Sequence, residues 1–127
     1  MNGFYLVAGL LSMLIAGAHA LWGQRNLLAE LKESELANAS KTGIYICWHQ
    51  MTMTLVVSGL GLICAALALP SVNSDVLAVY VLVLIVGNFA VFLAISVAKQ
   101  RELLSRSAPQ IAMFSILILL VALGRVF

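Results

Sequence analysis

The sequence predicts an all-α fold, a bundle of four transmembrane helices in antiparallel up-and-down order, and three observations carry that prediction. Of its 127 residues, 63% are hydrophobic and only 9% charged, against about 25% charged residues in ordinary soluble domains. Four stretches contain no Asp, Glu, Lys or Arg: Gly3 to Trp22, Ile44 to Leu69, Val76 to Ala98 and Ser107 to Gly124, with Arg125 closing the last at 107–125. Each has about the 17 to 25 residues that carry a helix across a hydrocarbon core of ~30 Å. Backbone groups in lipid need internal partners, so long apolar runs of this kind form helices. The whole chain, 1–127, reads as a single integral membrane domain, leaving no room for a separate soluble module.

The first span, 3–22, ends in His19 and Trp22 and carries Ala8, Ser12, Ala16 and Ala20 at intervals of four. Small residues so spaced let another helix approach closely, within the chain or in a homo-oligomer. Ala18-His19-Ala20 also has the small-x-small form of a signal-peptidase site. Two features argue against cleavage: no basic residue precedes the apolar run, and cleavage would place the three basic residues of the next loop outside. That loop, Gly23 to Gly43, holds Arg25, Lys32 and Lys41 with Glu30, Glu33 and Glu35. Leu27, Leu28 and Leu31 share one side of a possible helix, which would lie along the membrane surface or extend the first span. Asn38-Ala39-Ser40 matches a glycosylation tripeptide but faces the cytoplasm in this reading.

The second span, 44–69, opens on Tyr45, Cys47, Trp48, His49, Gln50, Thr52 and Thr54, and thins toward its other end at Gly59, Gly61, Ala65 and Ala66. Cys47 and Cys64 stand about 25 Å apart along one helix, beyond disulfide reach, and are expected to be buried thiols. Pro70 ends the span, and Ser71, Asn73, Ser74 and Asp75 offer capping oxygens to the third, 76–98, whose one strongly polar interior residue is Asn88. In the fourth, Ser107 with Gln110 resembles a capping box with Pro109 in the first turn, and Ser115 lies within the span.

Charge sets the orientation. The first loop has three basic residues, the third loop also three (Lys99, Arg101, Arg106), and the middle hairpin none. The positive-inside tendency makes both charged loops cytoplasmic and both termini outward, N-out and C-out, with Arg125 snorkelling at the outer interface. A net charge of +2, divided between loops, excludes nucleic acid as a partner and leaves the lipid bilayer as the chain's surroundings.

Polar groups within spans are costly, which makes them the functional candidates. His19 and His49 fall at nearly the same depth of an antiparallel pair. His19 shares a stripe with Ala8 and Ser12, and His49 shares a face with Tyr45 and Thr52. A candidate pocket follows: His19, Trp22, Trp48, His49, Thr52 and Asn88. Bis-imidazole ligation of a haem by His19 and His49 is chemically possible in a four-helix bundle. Zinc needs more ligands, and Cys47 lies about 200° around the helix from His49. Interhelical hydrogen bonding by the histidines, with Trp22 and Trp48 anchoring the interface, explains the same residues without a ligand. Within the membrane stand no carboxylate, no nucleophile paired with a base and no Gly-rich phosphate loop.

The run His19-Ala-Leu-Trp-Gly23-Gln-Arg25, followed by Ile44-Tyr45-Ile46-Cys47-Trp48-His49-Gln50-Met51-Thr52, resembles a group of small, uncharacterised bacterial integral membrane proteins. These pair a histidine closing the first span with a Tyr-x-Cys-Trp-His segment opening the second. The resemblance covers about the first half of the chain and implies a bacterial inner (cytoplasmic) membrane protein; it draws attention to His19 and His49 without assigning them an activity. Small multidrug transporters are similar in size but use a glutamate in the first helix, where this chain has no acid. Fluoride channels carry a Gly-rich arginine motif and a phenylalanine-rich polar track that this sequence lacks. The expectation is a non-enzymatic subunit, or a small binding or transport scaffold with a cytoplasm-facing histidine pocket. The alternatives are a haem- or metal-binding redox protein using His19 and His49, and a membrane enzyme acting on a lipid-soluble substrate with an imidazole base. The last predicts a lipid-accessible cavity at the histidines.

Overall fold

The computed structural model describes residues 1–69 and 73–127, so Pro70 and Ser71, assigned above to the end of the second span and the cap of the third, lie outside the described residues. All regular structure among the described residues is helical: α1 (Gly3–Arg25), α2 (Leu27–Glu33), α3 (Asn38–Ala66), α4 (Ser74–Lys99), α5 (Glu102–Arg106) and α6 (Ala108–Gly124). Three helical stretches are long and apolar enough to cross a membrane: Gly3–Glu33, Asn38–Ala66 and Ser74–Lys99. The apolar helix α6 is shorter, at 17 residues, or about 25 Å at 1.5 Å per residue.

The helix ends follow local chemistry, with three departures from expectation. Asn2 caps α1 by accepting from the Tyr5 N–H at 3.1 Å, and Asn73 caps α4 by accepting from the Val76 N–H at 3.1 Å. Ser74, expected among the caps, instead donates to the Ala65 carbonyl at 3.0 Å and ties the start of α4 to the end of α3. Ser107 makes no side-chain cap at α6; it is buried and turned toward the bundle interior. Helix α3 starts six residues before the charge-free run, at Asn38: a helix continues through polar sequence until something ends it, and no proline or glycine intervenes before Gly43. The Leu27–Leu28–Leu31 segment extends the first span, as one of its two readings required. Asn26 interrupts the helix, yet its N–H still bonds the Trp22 carbonyl and its carbonyl accepts from Glu30. Lys41 Nζ donates to the Lys32 carbonyl at 2.9 Å, placing a cation on the carbonyl end of α2.

Helices α1, α3, α4 and α6 form a ring in which each touches the next. The closest pair is α1 with α3, running antiparallel. The repeat of small residues is what brings them together: Ala8, Gly9, Ser12 and Ala16 face Leu55, Ser58, Gly59 and Leu62, and all eight are buried. A Cβ on Gly9 would stand 2.8 Å from the Gly59 carbonyl oxygen, and one on Gly59 2.9 Å from that of Gly9, so neither position has room for any side chain. The Ser12 hydroxyl crosses the gap to donate to the Leu55 carbonyl at 2.8 Å. The small-residue stripe from Ala8 to Ala16 is therefore used in packing within the chain.

Cys47 does not fit the expectation of buried thiols: it is exposed, and Cys64 only part-buried. A helix that can face hydrocarbon has no need to turn a small apolar thiol inward. Ser115 likewise faces outward and takes no part in the interior.

Candidate functional site

Most of the buried core lies at one end of the bundle. In α1 the main buried run is Tyr5 to Ala16; in α3 nothing before Leu55 is buried; in α4 the main buried run is Ala78 to Ile85 and in α6 it is Leu117 to Gly124, while Gly23, Leu28, Ser96 and Ser107 are buried singly nearer the charged loops. Beyond those limits, toward the charged loops, the four helices stand apart around a cavity of about 340 Å³.

One wall is built on α1 and α3. The His19 ring lies flat on the Trp48 indole, centroids 3.9 Å apart and planes 9° from parallel, and Trp22 approaches the same indole at 5.9 Å. One turn past His19, the buried Gly23 leaves the space that the Trp48 ring occupies; a Cβ there would collide with the indole nitrogen. His19 Nδ1 meets Thr52 Oγ1 at 2.9 Å, and that hydroxyl also approaches the Trp48 carbonyl, one turn back along α3, at 3.3 Å. His19 is thus fixed on one face by stacking and at one corner by a hydrogen bond.

The opposite wall comes from α4 and α6. Asn88, Phe89 and Phe92 project from the first, and Ser107, Gln110, Ile111 and Phe114 from the second. Phe89 and Phe114 are nearly parallel, 6° apart in plane at 5.9 Å. Asn88 donates one amide N–H to the Leu84 carbonyl at 2.9 Å, and the rest of its amide has no partner among the described residues. Leu27 of α2 and Leu103 of α5 close the end nearest the charged loops, and Met51 completes the lining.

Four of the six residues expected in a pocket, His19, Trp22, Trp48 and Asn88, line this cavity. Thr52 contributes through its bond to His19. His49 does not join them. It is one residue, or 100° of helix, around from Trp48, and it lines a separate shallow groove with Tyr45, Gln50 and Thr54, edge-on to Tyr45 at 4.5 Å. The two imidazoles therefore line separate spaces. Among the described residues no three His, Cys, Asp or Glu side chains come together as a metal site. Nor does Trp48 anchor the interface through its N–H, which is enclosed with no hydrogen-bond partner among the described residues.

The residues that sequence reasoning missed are the rest of the far wall, beyond Asn88. A signal for them exists in Asn88-Phe89-x-x-Phe92 and Ser107-x-x-Gln110-Ile111-x-x-Phe114, each the spacing of one helical face. Among the described residues no carboxylate, ammonium or guanidinium group lines the cavity. A space of this size, walled by aromatic rings with a few amide, hydroxyl and imidazole groups, has the usual make-up of a small-molecule site. Compared with protein families, with curated proteins and with solved structures, the chain matches none.

Proposed function

We propose that this chain is a four-span bacterial inner-membrane protein that holds a neutral, lipid-soluble small molecule in the cavity beside His19, acting as a binding or transport scaffold rather than as a redox carrier. The observation that carries the reading is the contrast between a closed, tightly packed end and an aromatic cavity of about 340 Å³ at the other. Side chains that served only to hold helices together would interdigitate there as they do around Leu62 and Leu117, both fully buried. Instead, Trp22 is 51% exposed while lining the space, an arrangement suited to a ligand entering from the hydrocarbon.

Four crossings with N-out and C-out termini account for the helix ends. The start of α1, the end of α3 and the end of α6 meet at Asn2, and six of the seven basic residues fall toward the opposite end. An alkaline phosphatase fused after Phe127 is expected to be active in the periplasm; a fusion that is inactive and well expressed would mean that α6 does not cross.

Binding is tested directly, because the chain's two tryptophans both line the cavity. In lipid nanodiscs, an uncharged aromatic such as a naphthol should change the tryptophan emission saturably. Gly23→Ala, which must push the Trp48 indole off its place, should weaken that response at least tenfold while helicity is retained. A response that rises linearly with ligand in both proteins, as simple partitioning into lipid would give, sinks the proposal.

A further inference from the structure

Given the binding role proposed above, we infer that the cavity selects an aromatic ligand bearing a hydroxyl donor, a phenol or hydroquinone, over the same ring with its hydroxyls blocked or oxidised to carbonyls.

The selection comes from the tautomer of His19. Thr52 Oγ1 has two neighbours, His19 Nδ1 at 2.9 Å and the Trp48 carbonyl oxygen at 3.3 Å. A carbonyl can only accept, and the threonine hydroxyl has one proton. If that proton went to His19, the contact with the Trp48 carbonyl would not be a hydrogen bond. If it goes to the Trp48 carbonyl, a back-bond that threonine commonly makes to the carbonyl four residues earlier in a helix, then Thr52 Oγ1 accepts from His19 Nδ1–H and both contacts are hydrogen bonds. The arrangement with both bonds made is favoured over the one that leaves a contact unbonded. A neutral imidazole protonated at Nδ1 carries a lone pair at Nε2.

That lone pair is the group left for a ligand. Trp48 covers one face of the ring and Thr52 takes the Nδ1 corner. The remaining face and the Nε2 edge are what His19 can offer the cavity it lines. Among the described residues Nε2 has no partner, and unlike Nε2 of His49 it is not enclosed by protein. An acceptor calls for an O–H or N–H on the ligand. The surrounding rings of Trp22, Phe89, Phe92 and Phe114 favour a flat aromatic body. The uncharged lining excludes a phenolate, and the amide groups of Asn88 and Gln110 can serve a second oxygen on the ring.

The test uses the full chain in nanodiscs under anaerobic conditions and compares trimethylhydroquinone, its dimethyl ether and the corresponding quinone by isothermal titration calorimetry, with empty nanodiscs subtracted. The hydroquinone should bind about five- to tenfold more tightly than either, the worth of one hydrogen bond. That preference should fall to within twofold in His19→Phe, which keeps the stack on Trp48, and in Thr52→Val, which keeps shape but frees the imidazole tautomer. A purely structural role for His19 would alter affinity for all three ligands alike. Repeating the comparison with the ring on an isoprenoid tail confined to the bilayer separates a lipid source from an aqueous one, and a donor preference in either form supports the inference. Equal, saturable binding of all three ligands, or preference for the quinone, overturns the donor selection and leaves the cavity reading standing. No binding above empty nanodiscs by any of them overturns both.

Discussion

The two ends of the bundle are both largely apolar and behave differently. At the closed end α1 meets α3 through Gly9 and Gly59, so near that each backbone excludes a Cβ on the other, and Leu62, Leu117 and Val121 are fully buried between helices. At the open end the α1–α3 contact is made by rings instead, His19 on Trp48 and Trp48 over Gly23, and α4 and α6 bring phenylalanines that leave a space. The difference teaches that side-chain size at the crossing point, rather than hydrophobicity, decides where a membrane bundle closes. Small residues let dispersion contacts accumulate along two backbones, and large flat ones hold the helices apart.

The strongest way to break that contrast is to put bulk into the closed end. Gly59→Leu must drive α1 and α3 apart and is expected to cost about 3 kcal/mol or to prevent folding. Gly17→Leu, on the same pair of helices but with open space around it, should stay within about 0.5 kcal/mol. Reversible unfolding in mixed micelles measures both, and equal effects would erase the distinction between the ends.

Truncation gives a finer comparison within one helix. Leu117→Ala removes a fully buried side chain and should cost about 3 kcal/mol. Phe114→Ala, three residues away on the cavity wall, deletes more atoms yet should cost only about 1 kcal/mol, because part of its surface already faces empty space. If the phenylalanine proves the costlier, the cavity is a packed core rather than a site.

Smaller effects sharpen the picture at the closed end. Asn2→Ala loses both the cap on the Tyr5 N–H and the bond to the Gly124 carbonyl, with an expected cost of about 1 to 2 kcal/mol. Ala68 stands just past α3 with φ of 48°, in the left-handed region that glycine occupies without strain. Ala68→Gly should therefore stabilise by about 0.5 to 1 kcal/mol, seen as a small rise in the unfolding midpoint.

The sequence made the helices legible because charge is excluded from lipid. The boundaries of α4 and α6 lie within two residues of the charge-free runs, whereas α3 overran its start at Ile44 because Asn38 to Thr42 can be helical in water as well as in lipid. The small-residue spacing from Ala8 to Ala16 identified the packed face of α1, though composition could not say that α3 was its partner. Four of the thirteen residues lining the site, His19, Trp22, Trp48 and Asn88, were equally visible, since a histidine, tryptophans and an asparagine in lipid call attention to themselves. The phenylalanines were not, because an apolar ring in an apolar helix looks the same whether it faces lipid, core or cavity. His49 misled for a related reason: its polarity marked it, but one residue of helix turned it away from the space that Trp48 lines.

Asn2 joins three parts of the chain that are far apart in sequence. Its backbone N–H donates to the Ala66 carbonyl at 3.0 Å, and its side chain donates to the Gly124 carbonyl at 2.6 Å while accepting from Tyr5. The bond to Gly124 spans 122 residues of sequence, so it cannot form until α6 has turned its end toward the start of α1. Until then, an amide near the first residue is held without its final partner. One side chain thus separates two kinds of contact: α1 and α3 can pack together without α6, whereas the hydrogen bond to Gly124 waits for α6 to reach the start of α1.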